Sequence, residues 1–160
     1  MAKNKPIKKT RPPTRRKKAR PTRGNRTQPL LAVAVLCESV LVEQSALTSA
    51  IRILDRVTVT GESPTFVPGV VPVTLYVVFK SGDAIGRRTL EIDQRSPNQS
   101  KPVRISESEM EFTGEEQGAA AQIKHLLHVS QEGLYWFDVR LNGELRTRIP
   151  LRVLYQERKK

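Results

Sequence analysis

Leu134-Tyr135-Trp136-Phe137-Asp138-Val139-Arg140-Leu141, then Asn142-Gly143, then Glu144-Leu145-Arg146-Thr147-Arg148-Ile149-Pro150-Leu151-Arg152-Val153: this stretch decides the fold. Side chains of an extended chain point alternately to its two faces. Tyr135, Phe137, Val139 and Leu141 therefore share one face, while Trp136, Asp138 and Arg140 share the other. After the Asn-Gly pair, Leu145, Thr147, Ile149, Leu151 and Val153 repeat the alternation. Asn-Gly tolerates the positive φ values of a type I′ turn, so the stretch reads as a β-hairpin. Pro150 cannot donate a ladder hydrogen bond, which places it at an edge or a bulge.

Working outward, the period of two persists. Val73, Leu75, Val77 and Phe79 alternate with Thr74, Tyr76, Val78 and Lys80, and Thr89, Glu91, Asp93 and Arg95 interleave with Leu90, Ile92 and Gln94. Both patterns suit strands with one face inward, and Ser81-Gly82-Asp83 supplies turn chemistry between them. Leu30 to Leu36 form an apolar run that ends at Cys37, in the manner of a lipoprotein leader. Leu36 stands where such a leader needs a small residue, and the apolar pattern resumes at Val40-Leu41-Val42, as in a long buried strand. Two segments read either way. Ala46 to Val59 has Leu47, Ala50, Ile51 and Leu54 at helical spacing but Ile51, Ile53, Val57 and Val59 at strand spacing. Gly118 to Val129 opens on Ala119-Ala120-Ala121, which suits a helical turn, before Ile123 and Leu126-Leu127. The count is about seven or eight strands, at a spacing that predicts an all-β fold, an antiparallel β-sandwich, over residues 29–155. A short basic tail, 156–160, follows.

Charge divides the chain differently. Lys3, Lys5, Lys8, Lys9, Arg11, Arg15, Arg16, Lys17, Lys18, Arg20, Arg23 and Arg26 lie within residues 1–28, with no acid among them. The net charge of +12 is therefore all in this arm, because the other 16 Lys and Arg balance the 16 Asp and Glu of the body. With Pro6, Pro12, Pro13, Pro21 and Pro29 and almost no apolar residues, the arm cannot offset the entropy of ordering. A disordered, extended basic arm is expected. Such a chain suits phosphate backbones, since neutralising phosphates releases condensed counterions. It has no aromatic residue for base stacking, so its contacts with nucleic acid or another polyanion are expected to be non-specific. An address signal is the competing reading, with Arg15-Arg16-Lys17-Lys18 as its cluster.

The body carries no signature of catalysis. Gly82 and Gly86 are too sparse for a phosphate-cradling loop, and there is no Gly-x-Ser-x-Gly elbow. Cys37, the single cysteine, reads as a small buried hydrophobe and points to a reducing, cytoplasmic setting. His125 and His128 would share the face of a helix, but on a strand they point to opposite faces, which defeats chelation. Glu107, Glu109 and Glu111 align on one strand face, with Glu115-Glu116 beyond. This stripe reads as a solvated face whose charges deter strand aggregation, with Ca²⁺ binding or docking of the basic arm as the alternatives. Arg140, Arg146, Arg148 and Arg152 form the opposite patch, for which cross-strand pairing is the default reading and a second nucleic-acid surface the alternative. No catalytic residue, metal ligand or cofactor is assigned, and no stretch approaches the roughly 20 apolar residues of a membrane-spanning helix.

Two stretches carry a resemblance. Leu36-Cys37-Glu38 and Val42-Glu43 lead into Thr48-Ser49-Ala50-Ile51-Arg52-Ile53-Leu54-Asp55-Arg56-Val57. The second is Gly133-Leu134-Tyr135-Trp136-Phe137-Asp138-Val139 with Asn142-Gly143 and Ile149-Pro150-Leu151-Arg152-Val153. Together they resemble an uncharacterised family of small bacterial β-sandwich proteins, a domain of unknown function, over most of Leu30 to Tyr155. The resemblance implies the sandwich and moves Ser49 to Val59 towards strand. It implies no active site, and the basic arm departs from that family's plain start.

The expectation is a non-enzymatic binding protein, with the arm on a polyanion and the body on an unknown protein partner. The alternative is a shell or coat-like assembly component whose arm faces nucleic acid.

Overall fold

The structure is a computed structural model and describes residues 28–45 and 47–158, with the backbone alone at 115 and 116. The described residues form seven strands: β1 (Leu30–Val42), β2 (Thr48–Ile53), β3 (Arg56–Gly61), β4 (Gly69–Arg95), β5 (Val103–Val129), β6 (Gly133–Leu141) and β7 (Glu144–Glu157). The all-β expectation holds. Both undecided segments are extended: the first forms β2 and β3, and the alanines of the second lie within β5.

The hairpin at the C-terminal end is as the sequence reads. Leu141 pairs with Glu144, and Asn142 and Gly143 take φ values of 51° and 77°, the pair of positive angles that a type I′ turn requires. Asn142 also accepts a hydrogen bond from the Thr89 amide at its Oδ1, 2.8 Å, and its own N–H donates to the Thr89 carbonyl, 2.8 Å. These bonds fasten the turn to β4. Pro150 lies just before β7 begins to pair with β3 at Arg152, so its missing N–H falls where β7 has no second neighbour.

Two features correct the sequence reading. First, all seven strands belong to one hydrogen-bonded sheet of order β2-β1-β4-β6-β7-β3, with β5 beside β4. That sheet is mixed, because β3 and β7 run parallel from Arg56↔Arg152 to Gly61↔Glu157. Second, Ser81-Gly82-Asp83 does not reverse the chain. β4 runs through it for 27 residues, and the β4–β5 register shifts on both sides of Gly82. Gly82, Gly86 and Gly114 have φ values of 55°, 94° and 80°, a region that side chains with a Cβ avoid, so the long hairpin turns a corner here. β7 also continues to Glu157, two residues into the stretch read as a tail.

The corner curls the sheet into two wings. One holds β2, β1, residues 69–80 of β4 and 118–129 of β5; the other holds residues 103–113 of β5, 86–95 of β4, then β6, β7 and β3. Between them lies one core. Leu36, Leu75, Val77 and Phe79 from the first wing pack with Leu90, Phe112, Phe137 and Leu151 from the second. Phe79 and Phe112 meet edge to face across the corner, with centroids 6.2 Å apart and planes at 87°. Each such side chain contributes roughly 1.5–3 kcal/mol by leaving water, so the inward alternation read from the sequence is what holds the curl.

Candidate functional site

The outward face of the second wing carries a charge row that spans four strands. Arg104 of β5, Asp93 of β4, Asp138 of β6 and Arg148 of β7 stand opposite one another in turn. Arg95 and Arg140 flank the row two residues along β4 and β6, on the same face. Asp93 accepts from Arg104 Nε at 2.5 Å and from Arg140 Nε at 3.0 Å. Arg95 Nη2 donates to Asp138 Oδ2 at 3.4 Å, and Arg140 Nη2 stands 3.7 Å from the same oxygen. Arg148 Nε is 3.1 Å from Asp138 Oδ1 but off the hydrogen-bond line, so that contact is coulombic.

Burial sets the weight of these contacts. The Asp138 side chain is 1% exposed although it lies on the outward face, because the arginine stems close over it. Arg104 also reaches Glu107 at 2.6 Å and Glu91 at 3.5 Å. The Asp93 hydrogen bond holds the Arg104 guanidinium above its ordinary pKa. Four arginines thus face four carboxylates, and the cluster is neutral as a whole. Cross-strand pairing therefore explains Arg140 and Arg148, as the sequence reading expects. No three His, Cys, Asp or Glu among the described residues converge to hold a metal ion.

The other candidates separate. Cys37 is fully buried, its Sγ 3.5 Å from the Thr74 carbonyl, and burial pushes its thiol pKa up. That suits packing and opposes nucleophilic attack. His125 and His128 point to opposite faces of β5. His125 turns inward, its Nε2 2.8 Å from Gln94 Oε1 and its ring 6.4 Å from that of Phe137. Burial, and secondarily the nearby His128, push its pKa below the ordinary value. Glu107, Glu109 and Glu111 are exposed along β5, and Arg87 reaches Glu109 at 3.4 Å.

The twelve cations of the arm, from Lys3 to Arg26, lie outside the described residues. The point where the arm joins the body is described. Arg146 donates from Nη1 to Gln28 Oε1 and from Nη2 to the Pro29 carbonyl, both at 2.7 Å, and is also 3.4 Å from Glu144. Sequence reasoning grouped Arg146 with the basic patch. It is instead the clamp that fixes the root of the arm beside the Asn142-Gly143 turn, a role that no spacing signals.

Residues 32–154 match the model of DUF6941, a family of unknown function. The chain belongs to this family. The DUF6941 region runs from β1 into β7 and therefore contains the core, the charge row and Arg146, but not the arm. No curated protein matches the chain. Among solved structures, the DUF6941 chain is similar to three of a β-glucosidase from Listeria innocua. With glucose bound, identity is 11% over 63% of this chain and 15% of the enzyme, at a TM-score of 0.45. Without that ligand the values are 10%, 65%, 15% and 0.42. With isofagomine they are 9%, 78%, 16% and 0.40. The chain spans only about 15% of the enzyme's length.

Proposed function

We propose that the chain is a non-enzymatic binding protein whose basic arm contacts nucleic acid or another polyanion and whose folded body engages a protein partner. The segregation of charge carries this reading: a net +12 lies in residues 1–28, ahead of a body whose charges balance. The body's arginine cluster supports it from the other side, since Arg95, Arg104, Arg140 and Arg148 are engaged by carboxylates and offer a phosphate little net attraction. The clamp at Arg146 roots the arm on one rim of the fold, which suits a tether.

A protein partner has a surface to meet. On the outward face of β4 and β5, Val70 and Leu126 are more than half exposed beside Pro72, with Lys124 and His128 on the same face, and Leu41 and Ile53 are more than half exposed on one face of the β1–β2 hairpin. Exposed apolar side chains among polar ones are a common feature of docking surfaces. The same face also suits self-association, as in a shell component, and mass in solution separates the two readings. The tether is tested by binding of the full chain, and of a chain that starts at Pro29, to duplex DNA and single-stranded RNA. Binding by the full chain alone supports it, and equal binding by both sinks it.

A further inference from the structure

Among the described residues, β5 pairs only with β4, so one whole side of a 27-residue strand is open. An open edge of that length is a template for another strand. On its second-wing stretch, Glu107, Glu109 and Glu111 are exposed at two-residue spacing. Pairing with the same edge of a second copy would set carboxylate against carboxylate, which is destabilising. Arg104, from along β5, and Arg87, from the β4 side, neutralise two of the three only partly. The strand that fits this edge is extended and cationic at every second position.

The chain contains a segment with that pattern of charge. Thr14-Arg15-Arg16-Lys17-Lys18-Ala19-Arg20 is a proline-free run between Pro13 and Pro21, with Arg16, Lys18 and Arg20 at the spacing of the three glutamates. Arg20 precedes proline, which favours extended backbone. The root of the arm is also in the right place. Gln28, Arg88 and Asn142 line one recess of about 380 Å³, and Arg88 pairs with Met110, between Glu109 and Glu111. Leu141 and Met110 are buried on the inward face, so the arm leaves the body at that rim, about two strand spacings or roughly 10 Å across the sheet from β5. To reach the outward face that carries the glutamates it passes the β5 edge. The eight residues from Arg20 to Gln28 reach up to about 26 Å, which is enough in either strand direction.

We propose that residues 14–20 dock in cis along the open edge of β5, setting Arg16, Lys18 and Arg20 against Glu107, Glu109 and Glu111. The open edge and the root of the arm define the place, and charge selects the occupant. The consequence rests on the proposed function: these cations cannot serve the edge and a phosphate backbone together, so the edge holds the arm in reserve until a polyanion competes for it.

The docking is read without any nucleic acid. Full-length chain at low salt is treated with a carbodiimide, which joins a lysine amine to a carboxylate in contact with it. The joined residues are then mapped by mass spectrometry on a mixture of light and heavy isotope-labelled protein. Links from Lys17 or Lys18 to Glu107, Glu109 or Glu111, within one molecule and at a yield independent of concentration, are expected. Links only between light and heavy chains would assign the edge to a second copy and overturn the proposal. So would links spread equally over Glu38, Glu132 and Glu157, or none at all. The full-length variant Glu107→Gln/Glu109→Gln/Glu111→Gln should then bind duplex DNA about fivefold more tightly than the parent, as expected for three exposed ion pairs released. Unchanged affinity would overturn the competition. Failure of both proteins to bind DNA would refute the polyanion reading while leaving the cross-links to decide the docking.

Discussion

Asp93 and Asp138 stand directly opposite each other on β4 and β6, two carboxylates at the closest cross-strand position. Like charges so placed repel. They persist because Arg104 and Arg140 hold Asp93 while Arg95, Arg140 and Arg148 surround Asp138. Arg140 touches both acids and is the link between them.

Asp138 should therefore be the costliest member of the row to alter. It is almost fully buried, and its loss leaves three cations without their shared counter-charge. Asp138→Asn should destabilise the fold by about 3 kcal/mol, near the lower bound for a broken buried pair. Arg148→Gln should cost less than about 1 kcal/mol, because its side chain is 48% exposed. Urea unfolding of the two variants checks the order, and equal losses would contradict it.

At the hairpin, Gly143 has a φ of 77°, where a β-branched side chain clashes with its own backbone. Gly143→Val should lower stability by roughly 1–2 kcal/mol. Asn142→Ala should also do so, by freeing the Thr89 amide that its side chain satisfies. Thermal melts of each variant measure this.

That hairpin shows how much of the fold is legible from residues alone. Asn142-Gly143 between two alternating runs is a local signal, and local pattern is enough to place β6 and β7. The inward rows of β4 are equally plain, and with them the core. The corner at Gly82 is not. A Ser-Gly-Asp triplet serves a chain reversal or a bend, and only the continued pairing of β5 across Gly114 decides between them. The parallel β3–β7 pair likewise depends on a contact between segments nearly 100 residues apart. The charge row was half visible: Asp138 and Arg140 share a face by spacing, as do Glu91, Asp93 and Arg95. The register that sets Asp93 against Asp138 lies in no single stretch.

His125 supplies a dependence on pH. Its pKa is lowered from the ordinary 6.5 by burial first and by His128 second, so the unfolded chain binds its proton more readily than the folded one. Stability should then fall as pH drops below about 6.5 towards the lowered folded value. Tm measured from pH 7.5 to pH 5 should decline for the parent and decline less for His125→Gln. Parallel curves would show that other groups carry the effect.

Cys37 is fully buried with a raised thiol pKa, so a thiol-specific disulfide reagent should react slowly with the folded chain at pH 8 and rapidly once it is unfolded in urea. Fast reaction of the folded protein would place β1 elsewhere.

The most direct measurement of the tether is affinity for duplex DNA between 50 and 200 mM salt, for the full chain and for the chain starting at Pro29. If the arm neutralises about six phosphates, the full chain loses roughly 10³-fold in affinity over that range. The shortened chain should show no binding at 50 mM. A shallow slope for the full chain, or matching affinities for the two, would contradict the assignment of the arm as the polyanion contact.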